Sequence, residues 1–257
     1  MSERSAILLA GVWSAPSLHF TLDSGETSLP ASLVRRVAQH WQDARTRNPR
    51  LFDGPLVSLT GFAASENFLH LDCAVCGYRD LLFANALREN NEHELADQMP
   101  RALGISALLQ TADEQLVLMH RSHDVGEYPG MIDVPGGHID PYDLNEQGRA
   151  DPFHAMRAEL LEELGLDASR LGELLCYGLV ENRLCRKPEL VFHAHTALTF
   201  AQVQTAAQSA RDRFEFTRLA SVPANPDAIA EFLQQRGMEC TPSCEGCLRL
   251  FLEVAAA

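Results

Sequence analysis

Residues 151–166 read DPFHAMRAELLEELGL, and their spacing specifies a helix punctuated at both ends. Asp151 suits the N-cap, Pro152 the first helical position and Gly165 the C′ position. Phe153, Met156, Leu160 and Leu164 fall on one side, as a buried face requires. Glu159, Glu162 and Glu163 stand i, i+3, i+4 apart, which gathers three carboxylates on another face.

That gathering is unfavourable in an isolated helix. The acids occupy the last turns, where the helix dipole favours cations, and no Lys or Arg follows any of them at i+3 or i+4. Carboxylates about 4–5 Å apart repel by about 3–4 kcal/mol at an effective dielectric near 20. A divalent cation turns the repulsion into coordination, because Mg²⁺ prefers carboxylate oxygens. The competing reading is a solvated acidic face.

The segment upstream bears on that choice. Met131–Val134 reads as a short apolar strand running into Pro135-Gly136-Gly137-His138, a turn with bare backbone that a ligand can approach closely. A polar loop then leads to the helix. Strand, Gly-Gly loop and acidic helix together resemble the box of the Nudix hydrolase family: Gly, five residues, Glu, seven residues, Arg-Glu-aliphatic-any-Glu-Glu-any-Gly-aliphatic. Gly137 opens the box, and Glu159, Leu160, Glu162, Glu163, Gly165 and Leu166 close it in register. Two departures stand out. Ala158 holds the arginine position, with Arg157 one residue early, and the loop is about seven residues too long, leaving Asp143 nearest to the box glutamate. The missing arginine puts the anchoring of the helix in question more than metal binding.

The long loop and absent arginine are similar to the branch of that family that cleaves UDP-glucose and UDP-galactose. The similarity extends to Leu51-Phe52-Asp53, Tyr78-Arg79-Asp80 and the segment from Arg121-Ser122 to Asp133–His138. The resemblance implies an α/β fold, a Nudix α/β/α sandwich, and Mg²⁺-dependent cleavage of a UDP-sugar into UMP and sugar 1-phosphate, with Mn²⁺ able to substitute. It implies metal ligation and catalysis by Glu159, Glu162 and Glu163, with the Gly136 carbonyl as a further metal ligand. Gly137, Phe52, Tyr78, Arg121 and Glu189 are the substrate-binding candidates. Phe52 and Tyr78 stack on uracil in this reading and are partly buried aromatics in the other. Arg121 and Arg79 clamp phosphates or form ion pairs. Glu189 and Glu215 are alternatives for an acid completing the metal site. The same box also serves hydrolases of ADP-ribose or NADH, or a sensor that binds a nucleotide sugar without cutting it.

Outward from the box, Gly104–Gln110 and Gln115–Arg121 flank a turn and make a hairpin, while strands are expected near Glu173–Glu181 and Glu189–Ala197. The first hundred residues read as a smaller α+β unit. Ala6–Trp13, Ser17–Leu22, Leu56–Phe62 and Phe68–Leu71 are its strands, Pro30–Asn48 a helix and Leu81–Gln98 a mostly helical stretch. The expected division is therefore 1–100 and 101–257.

Composition narrows the partners. With 21 basic and 35 acidic residues the net charge is −14, which repels phosphate backbones and argues against nucleic acid. No apolar run reaches the roughly 18 residues of a membrane span, and the start, Met-Ser-Glu-Arg, lacks the features of a secretory leader. Seven cysteines, an odd number, suit free thiols in a reducing cytoplasm. Cys73-x-x-Cys76 and Cys244-x-x-Cys247 have zinc-ribbon spacing but stand about 170 residues apart. Buried small side chains are preferred over structural zinc, with Ser243 capping a short last helix. Oligomeric state is open.

Overall fold

The computed structural model describes residues 4–26, 29–49 and 51–256. Its first part runs β1 (Ser5–Trp13), β2 (Leu18–Glu26), α1 (Ala31–Arg47), β3 (Pro55–Ala64), β4 (Leu69–Gly77), α2 (Tyr78–Glu89) and α3 (His93–Ala96). Four strands follow, β5 (Gly104–Gln110), β6 (Gln115–Arg121), β7 (Ile132–Asp133) and β8 (Gly136–His138), then α4 (Pro152–Leu164). The chain ends with β9 (Leu171–Asn182), β10 (Lys187–Thr196), α5 (Phe200–Ala206), β11 (Phe216–Pro223), α6 (Pro226–Arg236) and α7 (Pro242–Ala255). Met1–Glu3, part of the stretch read for a leader, lie outside the described residues. Among the described residues no helix is long and apolar enough to cross a membrane.

The large sheet has the order β1-β9-β10-β5-β6-β11, with β10 and β5 parallel and the other neighbouring strands antiparallel. Side chains alternate between its faces with the two-residue period of a strand. On β5, Ile105, Ala107 and Leu109 enter one apolar cluster and Leu108 the other; on β10, Leu190, Phe192 and Ala194 oppose Val191. The first face is covered by α4 through Phe153, Met156, Leu160 and Leu164, all buried as the periodicity requires. The second is covered by α7 through Cys244, Cys247, Leu248 and Phe251. Helix, sheet and helix thus form the expected α/β/α layers.

The division at residue 100 needs one amendment. A separate sheet, β2-β4-β3, does form in the amino-terminal part, but β1 leaves it and pairs with β9 at the edge of the large sheet. Val57, Leu59, Leu69 and Leu71 of the small sheet share an apolar cluster with α4. Alternation identifies a strand without naming its partner, and β1 finds its partner in β9 rather than among its neighbours in sequence.

The ends of α4 follow from its caps. The Asp151 carboxylate accepts from the Phe153 and His154 amides, and Gly165 turns left-handed at φ +68°. The Leu166 amide then reaches back to the Leu160 carbonyl at 3.2 Å. At the other end of the chain α7 spans 14 residues rather than a short turn. Its cap is Thr241, which accepts from the Cys244 amide at 3.0 Å, not Ser243.

Candidate active site

The cleft opens where two strands part. β5 and β6 pair only at Gln110 and Leu116 beside their turn. Beyond that point β8 takes the edge of β5 and β7 the edge of β6, so the Gly-Gly loop enters between them. The result is a cavity of about 310 Å³ whose walls include Gly136, Gly137, Arg121, Glu159, Glu189 and Glu215. Glycine is required at Gly136, where a Cβ would collide with the Ile105 carbonyl; at Gly137 a Cβ would displace the Glu159 carboxylate.

The three helix glutamates meet different surroundings. Glu163 is buried and accepts from the Gly136 amide at 3.0 Å, tying helix to loop. Burial, then the charges of Glu159 and Glu215, push its pKa well above the usual carboxylate value. Glu159 faces the cleft, and burial followed by Glu162 and Glu215 raises its pKa to about 7. Glu162 points elsewhere: its carboxylate accepts from Arg211 Nη2 at 2.6 Å, and it does not line the cleft. The common patch expected from spacing thus divides into a buried, a cleft-facing and a solvent-side acid. Glu215, in the turn before β11, joins the first two from outside the box, its own pKa raised by burial.

The opposite wall is a compensated network. Lys187 is buried and reaches Glu127 at 2.9 Å and Glu189 at 3.5 Å. Burial would lower its pKa, but those two acids raise it. Burial would likewise raise Glu127, yet the charge and hydrogen bond of Lys187 hold it below the usual value. Glu189 also accepts from Ser243 Oγ at 3.0 Å and Ser106 Oγ at 3.3 Å. Beside them Tyr128 has a left-handed backbone, φ +48°, and its hydroxyl accepts from Asn182 Nδ2 at 2.8 Å. Such a backbone at a bulky residue is strained and persists only when its surroundings enforce it. Arg121 lines the cleft but is already engaged, donating to the Glu127 carbonyl at 3.0 Å and Asp133 Oδ2 at 3.2 Å.

Several of these residues have no sequence signature. Lys187, Glu127, Asn182 and Tyr128 belong to no motif, and the nearest signal is the charge pattern Lys187-Pro-Glu189 at a strand start. His138 lines the cleft with Nε2 buried and without a hydrogen-bond partner among the described residues. Burial, then Lys187, keeps its pKa low and the ring neutral.

Other candidates are displaced. Phe52 is 78% exposed and does not line the cleft, so the partly buried reading fails for it. Tyr78 opens α2 and is half-buried in a neighbouring cavity that shares Glu127 with the cleft. Arg79 pairs with Asp53 at 3.4 Å, the ion-pair alternative. Asp143 pairs with His154 at 3.4 Å, away from the cleft. Arg157 does not replace the box arginine: its Nη1 is buried without a hydrogen-bond partner among the described residues. The two cysteine pairs sit in different parts of the molecule, Cys73 and Cys76 on β4, Cys244 and Cys247 on α7, and all four are buried.

The donors here suit a hard divalent cation in kind. They are carboxylate oxygens whose pKa values are raised first by burial and then by neighbouring acids, with Arg121 opposing the rise at Glu163 and Glu215. In position they stop short of a finished cage: among the described residues no three His, Cys, Asp or Glu side chains form a group that could hold a metal ion.

The NUDIX domain profile matches residues 100–234, just over half of the chain. The chain belongs to the Nudix family of hydrolases. It is 26% identical to Nudix hydrolase 9 of Arabidopsis thaliana over 219 residues, 72% of this chain and 70% of that one. It is 29% identical over 191 residues to uridine diphosphate glucose pyrophosphatase NUDT22 of Mus musculus, covering 64% of this chain and 62% of the mouse protein. A Nudix hydrolase from M. smegmatis, RenU, superposes with a TM-score of 0.40 at 17% identity, over 61% of this chain and 86% of that one.

Proposed function

We propose that this Nudix hydrolase cleaves the diphosphate of UDP-sugars, UDP-glucose and UDP-galactose, to UMP and sugar 1-phosphate in a Mg²⁺-dependent reaction that Mn²⁺ also supports. The observation that carries the reading is the pair of cleft acids Glu159 and Glu215, backed by buried Glu163, set against the side-chain-free Gly136 and Gly137 of β8. The UDP-sugar class is favoured by the similarity to relatives named uridine diphosphate glucose pyrophosphatase. Seven free cysteines suit the cytoplasm.

Glu159, Glu163, Glu162 and the Gly136 carbonyl are the assigned metal ligands, with Glu215 the completing acid favoured by its place in the cleft. A bound divalent cation would neutralise the diphosphate and lower the pKa of a coordinated water. Glu159, with a pKa near the working pH in the metal-free cleft, suits proton abstraction from that water. The water oxygen bonds to one phosphorus while the bridging oxygen departs with the other phosphate. Gly137 lets the Glu159 carboxylate close against β8 at the cleft wall, Arg121 contributes fixed positive charge, and Glu189 and Tyr78 bound the substrate's two ends.

Chromatography of UDP-glucose incubated with the protein, with Mg²⁺ or EDTA, tests this beside ADP-ribose and NADH. Magnesium-dependent UMP and glucose 1-phosphate, with the adenine compounds intact, is the expected result. Cleavage of the adenine compounds instead would reassign the substrate, and binding without turnover would make the chain a sensor. Hydrolysis in H₂¹⁸O identifies the phosphorus attacked by which product carries the label.

A further inference from the structure

A small cavity of about 120 Å³ shares Lys187 with the cleft and takes no part in the proposed reaction. Its cations come from three segments: Arg88 from α2, Arg101 from the link before β5, and Arg186 and Lys187 from the β9–β10 hairpin. Asp97 is the one acid in its wall among the described residues. In a chain of net charge −14 this local excess of positive charge runs against the whole.

Pairing does not remove the excess. Lys187 is matched by Glu127 and Glu189. The three guanidiniums share two carboxylates, and only one oxygen of each. Asp97 Oδ1 accepts from Arg88 Nη2 at 2.5 Å and from Arg186 Nη1 at 3.0 Å. Glu181 Oε1 stands 3.6 Å from Arg186 Nε and 3.9 Å from Arg101 Nη1, both outside hydrogen-bond distance. A guanidinium carries five N–H donors in a planar fork that matches phosphate oxygens, so this wall holds more donors than its acids can take. Size narrows the ligand. The cavity admits several waters but falls well below the roughly 300 Å³ at which drug-sized pockets begin. A single tetrahedral oxyanion fits, and a nucleotide does not.

We infer that this cavity is a binding site for a phosphate-sized oxyanion, separate from the diphosphate cleft. The anion takes donors from Arg101 and Arg186 and so bridges the link before β5 to the hairpin, while Arg88 and Lys187 add positive charge. The site is independent of which diphosphate the cleft cleaves. The competing reading is an ion-pair staple between the same segments, which needs no anion.

Calorimetric titration of the full chain with inorganic phosphate, in EDTA and at constant ionic strength with chloride, separates the two. Without a divalent cation the cleft presents Glu159 and Glu215 to an anion and repels it. The expected result is one phosphate per chain, displaced by sulfate, with a thermal midpoint that rises as phosphate is added. Arg101→Gln and Arg186→Gln should each weaken binding by about tenfold or more, the scale of a charge-assisted hydrogen bond. Arg121→Gln, in the cleft, should leave the affinity within about twofold. Glucose 1-phosphate, too large for the cavity, should not compete. No saturable binding by the wild type leaves only the staple and overturns the assignment, and that arm needs no variant to fold. Binding lost in Arg121→Gln but kept in Arg101→Gln and Arg186→Gln puts the anion in the cleft and also overturns it, as does equal competition by glucose 1-phosphate.

Discussion

The two walls of the cleft use the same side chain in opposite ways. On the α4 side, burial raises the pKa of Glu159, Glu163 and Glu215, and neighbouring acids raise it further, Glu162 and Glu215 at Glu159 and Glu159 and Glu215 at Glu163. On the far side, Glu189 is buried and Glu127 half-buried, but Lys187 stands between them and Ser106 and Ser243 supply further hydrogen bonds to Glu189. Carboxylates left in mutual repulsion are poised to gain from a cation, whereas compensated ones hold a shape. The first wall is therefore chemistry and the second scaffolding, and substitutions should separate them.

The largest expected effect is on turnover. Glu159→Gln should lower kcat by about 10²–10⁴-fold, the worth of a positioned general base. Its thermal midpoint in EDTA should not fall, because the change removes repulsion. A midpoint that drops with activity would mean that Glu159 belongs to the scaffold. Lys187→Met tests the other wall by leaving Glu127 and Glu189 buried and unpaired, at a cost of about 3–5 kcal/mol. Urea unfolding would measure that loss, and pairing it with Glu127→Gln should recover part of it. Wild-type stability in Lys187→Met would erase the distinction between the walls.

The walls also differ in their response to pH. In the metal-free protein Glu159 titrates near 7, above its unfolded value of 4.5. A raised pKa means stability that is present below 4.5 and lost as the pH climbs through 7. Histidines 138 and 193, held below 6.5 by burial, act in the opposite direction, so the informative quantity is the difference between wild type and Glu159→Gln. The variant should gain on the wild type by about 2–3 kcal/mol between pH 4.5 and 7 in EDTA, read by urea unfolding at each pH. Saturating Mg²⁺ should abolish that gain. A constant difference across the range would show that Glu159 is ionised throughout.

The same contrast explains what could be read in the chain. The α4 wall was legible because its parts are consecutive: cap, apolar face, glutamates and terminal glycine lie within 16 residues, and helical geometry fixes their relation. The far wall draws on Glu127 and Tyr128 from a loop, Asn182 and Lys187–Glu189 from two strands and Ser243 from α7. No short-range period links those positions, and only the sheet order brings them together. Pairing of β1 with β9, across more than 160 residues, is invisible for the same reason. The partly buried reading of Phe52 failed because a motif identifies a residue without its exposure. Glu162 shows the limit of spacing within a helix: three acids on neighbouring turns still diverge once a loop and Arg211 pack against them.

Glu162 also supplies the smallest test. Arg211 is 69% exposed, so its bond to Glu162 is accessible to water and contributes little to folding. It nevertheless competes with a cation for that carboxylate. If Glu162 belongs with the uncompensated wall, Arg211→Ala should leave kcat at saturating Mg²⁺ within about twofold while lowering the Mg²⁺ concentration for half-maximal activity, by at most about fivefold, the scale of an exposed ion pair. If the half-maximal concentration does not move, Glu162 is a surface acid and the metal is held by Glu159, Glu163 and Glu215 alone. A rise in that concentration would reverse the assignment, making Arg211 the group that holds Glu162 in place for the metal. Titrating Mg²⁺ against both variants, Arg211→Ala and Glu162→Gln, separates the three outcomes, since only a ligand produces opposite shifts in the two.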